Sequence, residues 1–142
     1  MKYFLITLGL LLTAPLLAEV SPDRIAHCLV RREGWDGHSI GPSDERGRYQ
    51  FTPATWFRFS HRPLFWASSG RQDCLAEQDR VARRVISEII TRLPKLGMPV
   101  SPFTIALAWN MGLGAIARRD ITNRAAAFAG DVQNLYGEDK TP

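Results

Sequence analysis

The 142-residue chain predicts a mainly α-helical single domain, with a long loop or small hairpin after the first helix. Three observations carry this. Ser21-Pro22, Thr52-Pro53 and Ser101-Pro102 each set a hydroxyl residue before a proline, the pattern of an N-cap followed by proline at the first helical position. A long apolar stripe at helical spacing runs through residues 73–93. Alternating runs of the kind that make strands are scarce.

Taken in order, residues 1–18 (MKYFLITLGLLLTAPLLA) have the layout of a secretory signal peptide: a positive charge at Lys2, an apolar run from Phe4 to Leu12, and small Ala18 at the end. Cleavage after Ala18 is expected, leaving 19–142 as the domain. The alternative is an uncleaved N-terminal anchor, because Leu16 stands where a small residue is preferred. The run is shorter than the about 20 residues a membrane helix needs, so no stable span remains after cleavage.

From Ser21 the first helix carries Ile25, Cys28 and Leu29 on one face and runs to about Glu33, where Gly34 stops it. Residues 35–48 are rich in Gly, Pro and polar side chains, a length of loop that is usually functional. Thr52 to Phe59 is a short aromatic helix, and His61 to Gly70 a connection holding Phe65 and Trp66. The helix from Asp73 to Leu93 aligns Val81, Val85, Ile86, Ile89, Ile90 and Leu93, and Pro94 ends it. Pro102 to Arg118 is nearly all apolar, predicting one buried central helix, and Ala125 to Leu135 a weaker last one.

Without Lys2 the 18 basic residues become 17 against 14 acidic, net +3, which suits an anionic polymer but is too small and scattered to argue for nucleic acid. Cys28 and Cys74 form an even pair. In an exported protein they are read as a disulfide worth about 4 kcal/mol in the chain-entropy model, the alternative being two buried thiols. His27, His38 and His61 lack metal-ligand spacing, and no cofactor motif is present. The aromatic row Trp56, Phe57, Phe59, Phe65 and Trp66 reads first as core, with one or two members available to stack on sugar faces.

Glu33 is the candidate for chemistry. It ends a helix, where the macrodipole disfavours negative charge, with Trp35 two residues on. Desolvation there raises a carboxyl pKa, and an acid still protonated near neutrality is what glycosidic cleavage needs. Gln50 precedes a helix cap, while Asn110 and Gly112 interrupt an apolar run, where a buried amide costs free energy unless bonded. On their own, these three also read as a surface side chain and a capped helix break.

Together, EGWDG at 33–37, GRYQFTPATW at 47–56 and AWNMG at 108–112 resemble the lytic transglycosylase domain of the lysozyme-like superfamily, over roughly residues 22–117. The resemblance implies a lysozyme-like helical fold with a cleft for peptidoglycan glycan strands, in a bacterial periplasmic or secreted protein. It implies cleavage of the MurNAc–GlcNAc β-1,4 bond with Glu33 as catalytic acid/base. Gln50, Tyr49, Asn110 and Trp109 would contact the sugar, and Tyr136 is the candidate for a further family tyrosine. No metal or other cofactor is implied. Gly34 stands where the family usually has Ser, Trp109 where it has Tyr, and Tyr49 where it has Met. The changes at Gly34 and Trp109 motivate a non-catalytic, glycan-binding alternative. Asp36, Asp44 and Glu45 leave open a hydrolytic muramidase using a second carboxylate. Service to a secretion or envelope assembly is a further role that the same domain type performs.

Overall fold

The computed structural model describes residues 19–34 and 36–138. The signal segment expected at 1–18 lies outside them, as do Trp35 and residues 139–142. The described chain is mainly helical and forms one small domain.

All three hydroxyl–proline pairs start helices. Helix α1 (Pro22–Glu33) is capped by the Ser21 hydroxyl, which accepts from the Arg24 N–H. Helix α2 (Pro53–Phe59) is capped by Thr52 through the Thr55 N–H. Before α4 (Pro102–Met111), Ser101 and Thr104 exchange side-chain and backbone bonds as a capping box. Each device satisfies donors that a helix start would otherwise leave bare, worth about 1 kcal/mol per cap. Gly34 ends α1 in the left-handed region at φ 65°.

Helix α3 (Gln72–Arg92) buries Val81, Ile86 and Ile89, with Leu93 sealing its end, and leaves Val85 and Ile90 half-buried. Between α2 and α3 lies a short 3-10 turn, Leu64–Ser68. Trp56 anchors α2 from below: it is fully buried, and its indole N–H donates to the Arg62 carbonyl at 2.9 Å. Arg80 and Arg84 of α3 both donate to the Phe59 carbonyl, placing cations at the negative end of the α2 dipole.

The buried central helix expected over 102–118 is two helices. Gly112, at φ 79° and ψ 152°, ends α4 and starts α5 (Leu113–Arg118). That conformation is essentially glycine's alone, so the chain kinks where it can do so without a Cβ. Helix α4 is apolar on every side and buries Thr104, Ile105, Ala106, Leu107 and Ala108. It packs against α3, α5 and α6 (Asn123–Glu138), with a lighter contact to α1. The last helix begins two residues before the expected Ala125 and ends three beyond Leu135. Its facing residues are Ala125, Phe128, Ala129, Val132 and Tyr136.

No disulfide joins Cys28 to Cys74; both are buried thiols. Cys28 lies on the core stripe of α1 and Cys74 in the first turn of α3, both fully buried. Among the described residues, no helix is long and apolar enough to cross a membrane.

Candidate functional site

The loop after α1 folds into two tight turns rather than a regular hairpin. Arg46 pairs with Ile40 on one side and Phe51 on the other. The Arg46 and Phe51 backbones exchange bonds of 2.8 and 2.9 Å, and Gly47 N–H donates to the Ser39 carbonyl at 2.7 Å. The second turn carries the motif. Gln50 closes it at φ 51°, in the left-handed region, with both its backbone N–H and its side-chain Nε2 donating to the Gly47 carbonyl. A non-glycine residue there stores about 1 kcal/mol or more, and such strain clusters at functional sites.

What holds this turn to the body is Gln78, fully buried on α3. Its Nε2 donates to the Trp66 and Ser69 carbonyls at 3.1 Å each, and its Oε1 accepts from the Arg48 N–H at 3.4 Å. One side chain thus ties together α3, the 3-10 turn and the motif loop. Next to it, Asp79 accepts from the Tyr49 hydroxyl at 2.8 Å and pairs with Arg48.

Tyr49 is buried rather than displayed on the surface. Burial pushes its phenol pKa well above the usual value, and the bond to Asp79 and the charge of Asp79 add to the effect. Its ring meets Trp109 edge-on at 6.1 Å and lies 5.5 Å from Phe51. On its other side it borders a small polar pocket with Ala26, His27 and Val30 of α1. Tyr49 therefore touches the helix bearing Trp109 and shares a pocket with the middle and last turns of the helix bearing Glu33.

Gln50 and Trp109 line one open groove of about 450 Å³, between α2, α3 and the break at Gly112. Thr52, Thr55, Phe59, Leu113 and Gly114 complete much of its wall. Trp109 is half-buried, lines the groove and packs its ring against Tyr49 and Phe51. The volume lies within the range of small-molecule and sugar sites.

The remaining expected residues fall elsewhere. Glu33 is half-buried at the end of α1 and does not line this groove. Asn110 is exposed in the last turn of α4, outside the lining, so the buried amide anticipated from its apolar neighbours does not arise. Tyr136 is buried at the opposite end of α1 from Glu33, about 16 Å along the helix axis. There its hydroxyl accepts from the Ser21 N–H at 3.1 Å, and the Arg24 guanidinium lies 3.9 Å from its ring centre, clamping α6 to the start of α1. Of the aromatic row, Phe57 and Phe65 are exposed and Phe59 lines the groove.

The loop carboxylates are committed locally. Asp36 accepts from the Ser39 hydroxyl and the His38 N–H, which hold its pKa below the usual carboxylate value. Asp44 pairs with Arg46, and Glu45 accepts from the Ser43 N–H at 2.9 Å. Among the described residues, no group of three or more His, Cys, Asp or Glu is placed to hold a metal ion.

Two sets of residues escaped the sequence reading. Gln78 was detectable in principle, because it falls on the Cys74–Val81–Ala82 face of α3, where a polar residue must find partners. Arg58, Glu88 and Arg92, which form the charged part of the groove, look like solvated surface in sequence. No family model, curated protein or solved structure matches the chain.

Proposed function

We propose that this chain is an exported peptidoglycan-cleaving enzyme with a lysozyme-like domain, acting as a lytic transglycosylase through Glu33. The observation that carries the reading is that Gln50 and Trp109, from motif segments far apart in sequence, line the same groove. Tyr49 of the second segment meets Trp109 edge-on and lines a small pocket together with Ala26, His27 and Val30 of the helix that ends in Glu33.

In this reading a glycan strand runs from the groove past the end of α1. Glu33 gives its proton to the glycosidic oxygen as the MurNAc–GlcNAc bond breaks. The resulting carboxylate takes the proton from the MurNAc 6-hydroxyl as that oxygen bonds to the anomeric carbon. The acid is regenerated, no water is consumed, and the product is a 1,6-anhydro sugar. The nucleophile belongs to the same sugar, so attack is intramolecular and needs orientation more than activation. One carboxylate suffices, which agrees with Asp36 and Asp44 being held in bonds within the loop.

A hydrolytic reading keeps one observation in its favour. The Glu45 carboxylate and the Gln50 side-chain oxygen both crowd the same face of Gly41, at 2.6 and 2.5 Å from the point where a Cβ would stand. Glu45 is therefore the loop acid beside a groove residue.

Digestion of purified sacculi followed by mass spectrometry decides between them. Fragments lighter by one water than reducing-end products are expected, and Glu33→Gln should slow their release by about 1,000-fold or more. Reducing ends that disappear in Glu45→Gln establish the muramidase. A Glu33→Gln protein that clears walls as fast as its parent removes the mechanism, and binding without any release by either protein leaves a glycan-binding module.

A further inference from the structure

The charged residues lining the groove are Arg58, Glu88 and Arg92. Arg58 of α2 and Arg92 of α3 both donate to the same oxygen, Oε1 of Glu88, at 2.6 and 3.0 Å. The arrangement is lopsided. The Glu88 side chain is only 24% exposed, whereas Arg58 and Arg92 are 60% and 48% exposed. Two guanidiniums share one partly sunken carboxylate, leaving one net positive charge on the rim. Each guanidinium has five N–H donors and uses one of them here. The unused donors form two forks of the kind that hold a carboxylate in bidentate fashion. The neighbouring floor is apolar: Phe59, Val85 and Ile89.

We propose that this end of the groove binds a carboxylate of the substrate strand, so that the protein prefers anionic peptidoglycan over a neutral glycan of the same linkage. The inference rests on the glycan reading above. The carboxylate has two chemical sources, the peptide stem on MurNAc or the lactyl group that is bared when the stem is removed. Glu88 sets the strength of the site, since it competes with the ligand for both arginines.

The test measures binding by the full mature chain in the Glu33→Gln background, against three ligands: stem-bearing strands, amidase-stripped strands, and neutral β-1,4-linked GlcNAc oligomers. The quantity read is the ratio of affinity for an anionic strand to that for the neutral oligomer. Adding Arg58→Gln and Arg92→Gln should lower this ratio about tenfold, the scale of a charge-assisted bond. Adding Glu88→Gln should raise it, and added salt should lower it in the background protein. Preference for stem-bearing strands alone identifies the stem as the source; equal preference for stripped strands identifies the lactyl group. A purely structural tie between α2 and α3 would instead make all three substitutions move the ratio little, or Glu88→Gln move it the same way as the arginine changes. Either result overturns the inference while leaving glycan binding intact. Absence of binding to all three ligands overturns the glycan reading as well.

Discussion

Replacing Gln78 with leucine tests what holds the motif loop in place. The side chains are similar in volume, so packing changes little and the hydrogen bonds are what is removed. Gln78 makes three, two to carbonyls at 3.1 Å and a longer one from Arg48 N–H at 3.4 Å. At about 1 kcal/mol net for each good bond, these contribute about 2–3 kcal/mol. The site is fully buried, so the stranded Trp66 and Ser69 carbonyls add a desolvation cost of about 1–3 kcal/mol in all. Burying leucine in place of an amide returns about 1–2 kcal/mol. The expected loss is about 3 kcal/mol, a sizeable part of the about 5–15 kcal/mol that holds a domain of this kind together. Urea unfolding should show a lower midpoint with an unchanged slope. If the protein binds glycan strands as proposed, that binding should weaken even at temperatures where the variant stays folded, because the Gly47–Gln50 turn loses its anchor. A loss under about 0.5 kcal/mol would refute the accounting. A large loss with undiminished strand affinity would refute the claim that Gln78 positions the groove.

Two other substitutions probe the same region. Gly112→Ala has open space for its Cβ, so its cost is backbone strain at φ 79°, ψ 152°; thermal unfolding should register about 1–3 kcal/mol with no steric component. Tyr49→Phe should cost about 1–2 kcal/mol through the lost bond to ionised Asp79. The raised Tyr49 pKa adds a pH signature. The unfolded chain releases this proton near the ordinary phenol value of 10.0, while the folded chain keeps it, so the stability tied to Tyr49 is full below that pH and falls as pH rises above it. Urea midpoints at neutral pH and at about pH 10.5 should differ less in Tyr49→Phe than in the parent, and ultraviolet titration should find one tyrosine that resists ionisation until the protein unfolds.

The amino-acid sequence by itself determined where three of the helices begin and where the long helix α3 runs. Capping bonds reach only three residues, and a buried stripe repeats every three or four, so Ser21-Pro22, Thr52-Pro53, Ser101-Pro102 and the 73–93 face carry their meaning locally. It also held the motif residues, two of which come together at the groove. Which side chains face that groove was decided by tertiary structure. Asn110 looked buried among apolar neighbours, yet the kink at Gly112 leaves it in an exposed final turn. Tyr136 was buried where α6 meets the start of α1, and the two cysteines stayed apart as buried thiols on α1 and α3. Arg58, Glu88 and Arg92 became one charged unit only when α2 docked on α3. Such contacts join residues tens of positions apart, and their free energy depends on which surfaces lose water together, a quantity that no short window of sequence contains.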